Sequence, residues 1–185
     1  MKKIVFLFVL LLAGCGISKP STFYHLQAAS QDVVISQKNI TVGIDEVIVP
    51  KYADRPQMVM QEADSSELKI SEFNRWAEPL SYAISRILAD DMSLYMPKAT
   101  IKPKTYISEN FDYTISVEIS KFDITLNQQV ALDSWWTIFK NGNIIYQGRS
   151  RFSEPVDDNL NNVVKAQSQL INQMAEQIAL KLTKL

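Results

Sequence analysis

Residues 111–125 constrain the fold most strongly, because they alternate apolar and polar side chains over a long stretch. The apolar positions are Phe111, Tyr113, Ile115, Val117 and Ile119. This period of two predicts a strand with one buried face and one solvated face. From Phe122 onward the apolar positions shift by one residue, which predicts a β-bulge near Ser120-Lys121.

A β-hairpin is predicted to follow, joining residues 130–140 to residues 143–152 through Asn141-Gly142. Both positions of such a turn need a positive φ, which asparagine and glycine tolerate. The two-residue turn sets the facing pairs, which are Phe139 with Ile144, Thr137 with Tyr146, and Trp135 with Gly148. Trp136 falls on the opposite face, so both faces of the hairpin are apolar. The hairpin is therefore either sandwiched between helices or used in assembly.

Two helices complete the pattern. Apolar residues recur at helical spacing from Leu80 to Met92, after Pro79 at a first-turn position. A second helix of about 28 residues is predicted to begin at Pro155, with Asp157-Asp158 in its first turn. Shorter strands are predicted at residues 40–49, 57–61 and 68–71. The prediction is one α/β domain with a mixed, mostly antiparallel sheet of about five strands and two main helices.

The N-terminus has the pattern of a lipoprotein signal. Two lysines precede an apolar run from Ile4 to Leu12, which is too short to span a bilayer. Leu12-Ala13-Gly14-Cys15 resembles a bacterial lipobox, and Cys15 is the one cysteine of the chain. The prediction is a signal peptide over residues 1–14 and a Cys15 that carries diacylglycerol and an N-acyl chain. An aspartate directly after the lipidated cysteine resembles an inner-membrane retention signal, and this chain has Gly16 at that position. The predicted location is therefore the periplasmic face of the outer membrane.

Residues 15–39 are interpreted as the lipidated cysteine and a tether, and residues 40–185 as the periplasmic domain. The tether is rich in Ser, Gln and Ala. Within it, Phe23-Tyr24-His25-Leu26 is equally compatible with a short docked edge strand and with a loose apolar spot in a linker.

The chemistry of the chain argues against an enzyme. With one histidine and one cysteine, a catalytic triad or a zinc site is not expected, and no other cofactor is predicted. Its acidic pairs are adjacent in sequence, so their side chains diverge. After removal of Lys2 and Lys3, 17 basic and 20 acidic residues remain, a net charge of −3. That balance argues against nucleic acid, or an electrostatic membrane patch, as the main partner.

The densest polar cluster lies around Trp76, where Arg75, Glu78 and Pro79 enter the first helix. A capped helix start with a packed Trp76 is the favoured interpretation of these residues, and contact with a partner is the alternative. Trp135 and Trp136 of the hairpin are open to the same two interpretations.

The chain resembles the ABC-transport auxiliary lipoproteins of the PqiC (YmbA) type. The pieces that match run in the family's order and cover nearly the whole mature chain: the lipobox, Tyr24-His25-Leu26, the segment Val42 to Tyr52, Arg75-Trp76-Ala77-Glu78-Pro79-Leu80, the strand through Trp136, and the closing helix. The block from Arg75 to Leu80 is the most specific of these. Ala53 departs from the leucine that many members have there.

The resemblance implies a non-enzymatic domain that docks at the outer-membrane end of a tunnel of mammalian-cell-entry (MCE) proteins. Such a domain helps lipid move between membranes together with an ABC transporter, and copies of it assemble into a ring. No lipid-binding residue carries over from the family. The alternative is a lipoprotein activator or scaffold for peptidoglycan assembly, which would copurify with a peptidoglycan enzyme.

Overall fold

The computed structural model describes residues 19–30, 33–104 and 110–185. Its strands are β1 (Thr22–Tyr24), β2 (Thr41–Ile44), β3 (Gln57–Gln61), β4 (Leu68–Trp76), β5 (Thr100–Pro103), β6 (Tyr113–Thr125), β7 (Gln129–Lys140) and β8 (Asn143–Pro155). Its helices are α1 (Leu80–Tyr95) and α2 (Leu160–Leu182). The α/β class is confirmed. The estimate of about five strands is corrected to eight, because strands of three or four residues are too short to show a period.

The sheet is mixed, with the order β1-β4-β3-β6-β2-β5, and β7 and β8 continue from the other edge of β6. β6, β7 and β8 form an antiparallel meander that contains most of the paired residues. The remaining edge of β6 is shared: β2 pairs in parallel with its first residues, Ile48 bridges Glu118, and Gln61 of β3 pairs with Thr125. The register shift between Ile119 and Lys121 confirms the predicted bulge.

The turn at Asn141-Gly142 is confirmed, and both residues have a positive φ. The pair Phe139–Ile144 is also as predicted, but the rest of the predicted register is wrong. A shift between Ile138 and Phe139 places Ile138 opposite Tyr146 and Trp136 opposite Gly148. The extra residue on β8 moves every later pair by one position. Trp136, not Trp135, therefore covers the bare glycine, where an added Cβ would lie 2.3 Å from Cζ2 of the ring.

The predicted start of the second helix is also corrected. β8 continues to Pro155, and α2 begins only at Leu160 and has 23 residues. Asp157 lies before the helix, where its Oδ1 accepts from the backbone N–H of Asn159 at 3.0 Å. Asn159 is the N-cap, and its side chain accepts from the N–H of Asn161 at 2.9 Å. A side-chain cap thus starts the helix in place of Pro155.

The predicted strand over residues 40–49 is shorter in the structure. β2 ends at Ile44, and the residues after it bond both to β6 and to α1. The backbone N–H groups of Asp45 and Ile48 still donate to the carbonyls of Ile115 and Val117, at 2.9 and 3.0 Å. The backbone N–H of Val47 donates to Oγ of Ser85 at 2.9 Å, and Oγ of Ser81 donates to the Glu46 carboxylate at 3.0 Å. These bonds hold the irregular segment against the first helix.

Phe23-Tyr24-His25-Leu26 belongs to the folded domain. Residues 22–24 pair in parallel with residues 74–76 of β4, and Leu26 is buried in the core. The backbone N–H of Gln27 donates to Oγ of Ser168 at 3.1 Å, which ties the segment to α2. The docked edge strand is thus the alternative that the structure shows. Cys15 and the predicted signal peptide lie outside the described residues.

Candidate functional site: the open face of the sheet

The helices cover one face of the meander. Alternate residues of β7 point toward α2 and are buried, namely Val130, Leu132, Ser134, Trp136 and Ile138. Oγ of Ser134 lies 3.2 Å from Sδ of Met174, and Oγ of Ser150 donates to Gln177 at 2.6 Å. The β7 residues that alternate with these buried positions point to the opposite face of the sheet, and one of them, Trp135, is 51% exposed. In the described part of the chain this second face is uncovered, and we call it the open face.

Trp135 and Arg149 form the centre of the open face. The two residues are opposite each other on β7 and β8, and the guanidinium carbon of Arg149 lies 4.8 Å from the centre of the indole. Arg149 also donates two hydrogen bonds to Asp133, at 2.8 and 2.6 Å, and Arg151 donates a third to the same carboxylate at 3.1 Å. The hydrogen bonds from Arg149 hold the pKa of Asp133 below its ordinary value. A half-exposed tryptophan beside a fixed arginine is the composition typical of an interaction hot spot.

The residues from Arg75 to Pro79 differ in their burial and in their hydrogen-bond partners. Trp76 ends β4 and is buried, and its backbone N–H donates to Pro56 at 2.7 Å. Glu78 accepts from Arg86 at 2.5 Å. Pro79 is at the N-cap, one position earlier than predicted, with no side-chain cap. The packed interpretation therefore holds for Trp76, although Trp76 belongs to a strand and not to the helix start. The predicted cap is absent, and Pro79 is exposed.

Arg75 differs from its neighbours in the block. Its Nε is buried without a hydrogen-bond partner. It pairs in register with Phe23 of β1, whereas Trp76 pairs with Tyr24. Since successive strand residues point to opposite faces and Trp76 points to the core, Arg75 lies on the open face. Among the predicted candidates, Trp135 and Pro79 are exposed, and Arg75 is partly buried on the open face.

A buried carboxylate, Asp91, was missed by the analysis of the sequence. It is fully buried on α1, and Oδ1 accepts from the backbone N–H of Ala29 at 2.7 Å. Burial raises the pKa of Asp91 to about 6. A signal was present, because Asp91 follows Ile84 and Ile87 at helical spacing and so lies in the apolar stripe of the helix. Near Asp91, residues from 23–30 and from α2 line a groove of about 630 Å³.

Other kinds of site are not found among the described residues. Across residues 19–30, 33–104 and 110–185, no three His, Cys, Asp or Glu side chains lie close enough together to hold a metal ion. Within the same ranges, no helix has the length and apolar character needed to cross a membrane.

A two-layer α/β domain with an arginine–tryptophan centre on an uncovered sheet face is typical of a binding domain. The chain belongs to the family of ABC-type transport auxiliary lipoprotein components, whose model matches residues 24–179. The family that the sequence resembles is thereby confirmed. It is a family of transport components and not of enzymes.

Relatives agree with this assignment. The intermembrane transport lipoprotein PqiC of Escherichia coli (strain K12) is 25% identical over 190 residues, and the match covers 100% of both chains. A crystal structure of an uncharacterized protein superposes with a TM-score of 0.73 at 20% identity, covering 89% of this chain and 99% of the other. A protein from Xanthomonas campestris has a TM-score of 0.69 at 14% identity, with 86% and 93% covered. At these identities the two structures support the fold alone.

Proposed function

We propose that the protein is a lipid-anchored, non-enzymatic accessory component of an ABC-type system that moves lipids or other hydrophobic solutes between membranes. Membership of the transport auxiliary family over residues 24–179 is the observation that carries this proposal. The full-length similarity to a protein named intermembrane transport lipoprotein supports it. Its partners would be an MCE-type periplasmic protein and the associated ABC transporter.

The anchor places this component at the periplasmic face of the outer membrane. Diacylglycerol and an N-acyl chain on Cys15 supply enough buried CH₂ groups, at about 0.8 kcal/mol each, for stable insertion. β1 begins at Thr22, so seven residue steps separate the lipid from the sheet. At roughly 3.5 Å per residue, that length reaches no more than about 25 Å. The domain would thus work close to the membrane surface, as a docking adaptor.

The Cys15→Ser variant tests the anchor. Without the thiol there is no site for diacylglycerol, so we expect the variant to lose labelling by a palmitate analogue and to leave the membrane fraction. Metabolic labelling followed by fractionation measures both effects. Retention of the label and of membrane association would contradict lipidation at this residue.

The part of the open face around Trp135 and Arg149 is the surface that we propose grips the MCE-type partner. Truncating a hot-spot tryptophan costs roughly 2 kcal/mol or more of binding free energy, which is about a 30-fold loss of affinity. We therefore expect Trp135→Ala to abolish copurification with the MCE-type protein, identified by mass spectrometry, while the domain stays folded.

Tyr82→Ala is the matched control for Trp135→Ala. Tyr82 is an aromatic residue of α1 with 50% exposure, against 51% for Trp135. We expect the control to retain the partner. If Trp135→Ala also retains it, the open face is not the docking surface. If the protein copurifies with a peptidoglycan synthase in place of an MCE-type protein, the transport proposal fails.

A further inference from the structure

A second part of the open face, on β1 and β4, is apolar and exposed. Its members are Phe23 (63% exposed), Leu68 (49%), Ile70 (47%) and Phe73 (38%). Leu68 and Ile70 pair with Gln61 and Val59 of β3, and Met58 next to Val59 points to the core. A register shift between Gln57 and Val59 interrupts the alternation of β4, so Leu68 and Ile70 lie on the same face as Phe73 and Arg75. We call Phe23, Leu68, Ile70 and Phe73 the β4 patch. Large exposed apolar side chains grouped on one surface mark a place that is covered in the working protein.

Two cations border the β4 patch without a carboxylate partner in the described part of the chain. Nζ of Lys19 lies 5.9 Å from the ring centre of Phe73. The guanidinium of Arg75, in register with Phe23, has a buried Nε that donates to nothing. Lys69 is already neutralised by Glu62. Glu67 beside Leu68 and Glu72 of β4 are exposed carboxylates, so the patch and its border are close to neutral overall. The two unpaired cations lie on the β1 side of the patch.

The spacing along the chain indicates what covers the patch. Lys19 is four residues beyond Cys15, so no more than about 14 Å of chain separates it from the proposed lipid. Phe23 is eight residues beyond Cys15, and the pairing of β1 with β4 fixes Phe73 and Arg75 beside it. Any bilayer that holds the acyl chains therefore lies within reach of the whole patch.

We propose that the β4 patch rests on the surface of the membrane in which Cys15 is anchored, an inference that depends on the lipidation proposed above. Phenyl and aliphatic side chains enter the boundary between headgroups and acyl chains. The guanidinium of Arg75 matches the geometry of a lipid phosphate, and Lys19 adds a second cation at the same level. The apolar residues supply most of the contact, which agrees with the slightly acidic net charge of the chain.

Docking through the β4 patch fixes the orientation of the domain. A lipid alone would leave the domain free to turn about its linker. With the β1 and β4 side against the bilayer, the meander is held in a defined direction, and so is the centre at Trp135 and Arg149. The anchor thus supplies stable attachment to the membrane, and the patch supplies the orientation of the domain.

The test uses an environment-sensitive fluorophore on an introduced thiol in the full, lipidated chain. One variant is Ile70→Cys, in the patch, and the matched control is Leu180→Cys, on α2 with 43% exposure against 47% for Ile70. Both proteins are reconstituted into vesicles of phosphatidylethanolamine and phosphatidylglycerol that contain nitroxide lipids. We expect the emission at position 70 to shift to shorter wavelength and to be quenched, and the emission at position 180 to remain that of a probe in water.

A second variant removes the patch and keeps the anchor. Phe23→Ser combined with Phe73→Ser and Arg75→Gln, in the Ile70→Cys background, should still sediment with the vesicles and should lose both the shift and the quenching. Equal signals at positions 70 and 180, or quenching that survives the triple substitution, would overturn the proposal. A shift without quenching that grows with protein concentration would also overturn it, in favour of a contact between copies.

Failure of the anchor is distinguishable from failure of the patch. Cys15 is the one native cysteine, so a lipidated chain takes one dye at the introduced position and an unlipidated chain takes two. Two dyes per chain, with protein left in the supernatant, would refute lipidation and remove the basis of the patch proposal. One dye per chain and sedimentation, with an unquenched probe at position 70, would refute the patch alone.

Discussion

Trp136→Ala is expected to lower the free energy of unfolding by about 3–5 kcal/mol, the range for removal of a buried aromatic side chain. The ring is buried between the sheet and α2, and its Nε1 donates to Oγ of Ser150 at 3.0 Å. It covers Gly148 and lies 5.3 Å from the ring of Tyr146. The substitution leaves a cavity, a bare glycine and a hydroxyl without its donor. Urea denaturation followed by far-UV circular dichroism measures the loss.

Trp135→Ala is the internal control for this experiment, because it removes the same side chain from the neighbouring position. Half of Trp135 is already in solvent, and its contact with Arg149 is an exposed cation–π pair that contributes about 0.5–1 kcal/mol. We expect a loss of about 1 kcal/mol. Equal losses for the two variants would mean that the register of the hairpin is not the one described.

Asp91→Asn is expected to remove a pH dependence of stability. Burial raises the pKa of Asp91 from 3.8 to about 6, so the folded state holds this proton more tightly than the unfolded state does. The stabilisation is present below pH 4 and is lost as the pH rises through 6. Between pH 4 and pH 7 the wild type should therefore lose about 2 kcal/mol relative to the asparagine variant. Asparagine retains an acceptor for the N–H of Ala29.

Denaturation of both proteins across this pH range measures the difference. Asp90→Asn is the matched control, since Asp90 adjoins Asp91 but has a half-exposed carboxylate paired with Arg86. The control should follow the wild-type profile. A constant difference between wild type and Asp91→Asn at all pH values would show that Asp91 titrates normally.

Long elements were predictable from the sequence because local pattern and tertiary surroundings agree there. β6 with its bulge and the apolar stripe of α1 follow from periodicity, and the turn at Asn141-Gly142 follows from its two residue types. The extra residue on β8 could not be predicted, since an added residue near Ile145 leaves no compositional mark. Of the short parallel strands, β1 was one of two alternatives and β2 was predicted with too long a range. Distant pairing partners stabilise these strands, and no local period does.

The site was predictable only in part, for the same physical reason. The sequence shows that both faces of the hairpin are apolar, but the side that α2 covers depends on the register, so Trp135 and Trp136 could not be told apart. Arg75 and Trp76 are neighbours in sequence, and the alternation of β4 separates them onto opposite faces. The lipidation of Cys15 and the signal peptide before it are predicted from the sequence alone.

The shared edge of β6 has a consequence for how the molecule is put together. Short connections join the strands of the meander. In contrast, some fifty residues or more of sequence separate β2 and β3 from the positions on β6 with which they pair. Closing longer loops costs more conformational entropy. We therefore expect folding to begin in the C-terminal half and to finish at β1, which waits for β4. The end of the chain that is synthesised first, and that we propose is tied to the membrane, is then the last to gain its place in the sheet.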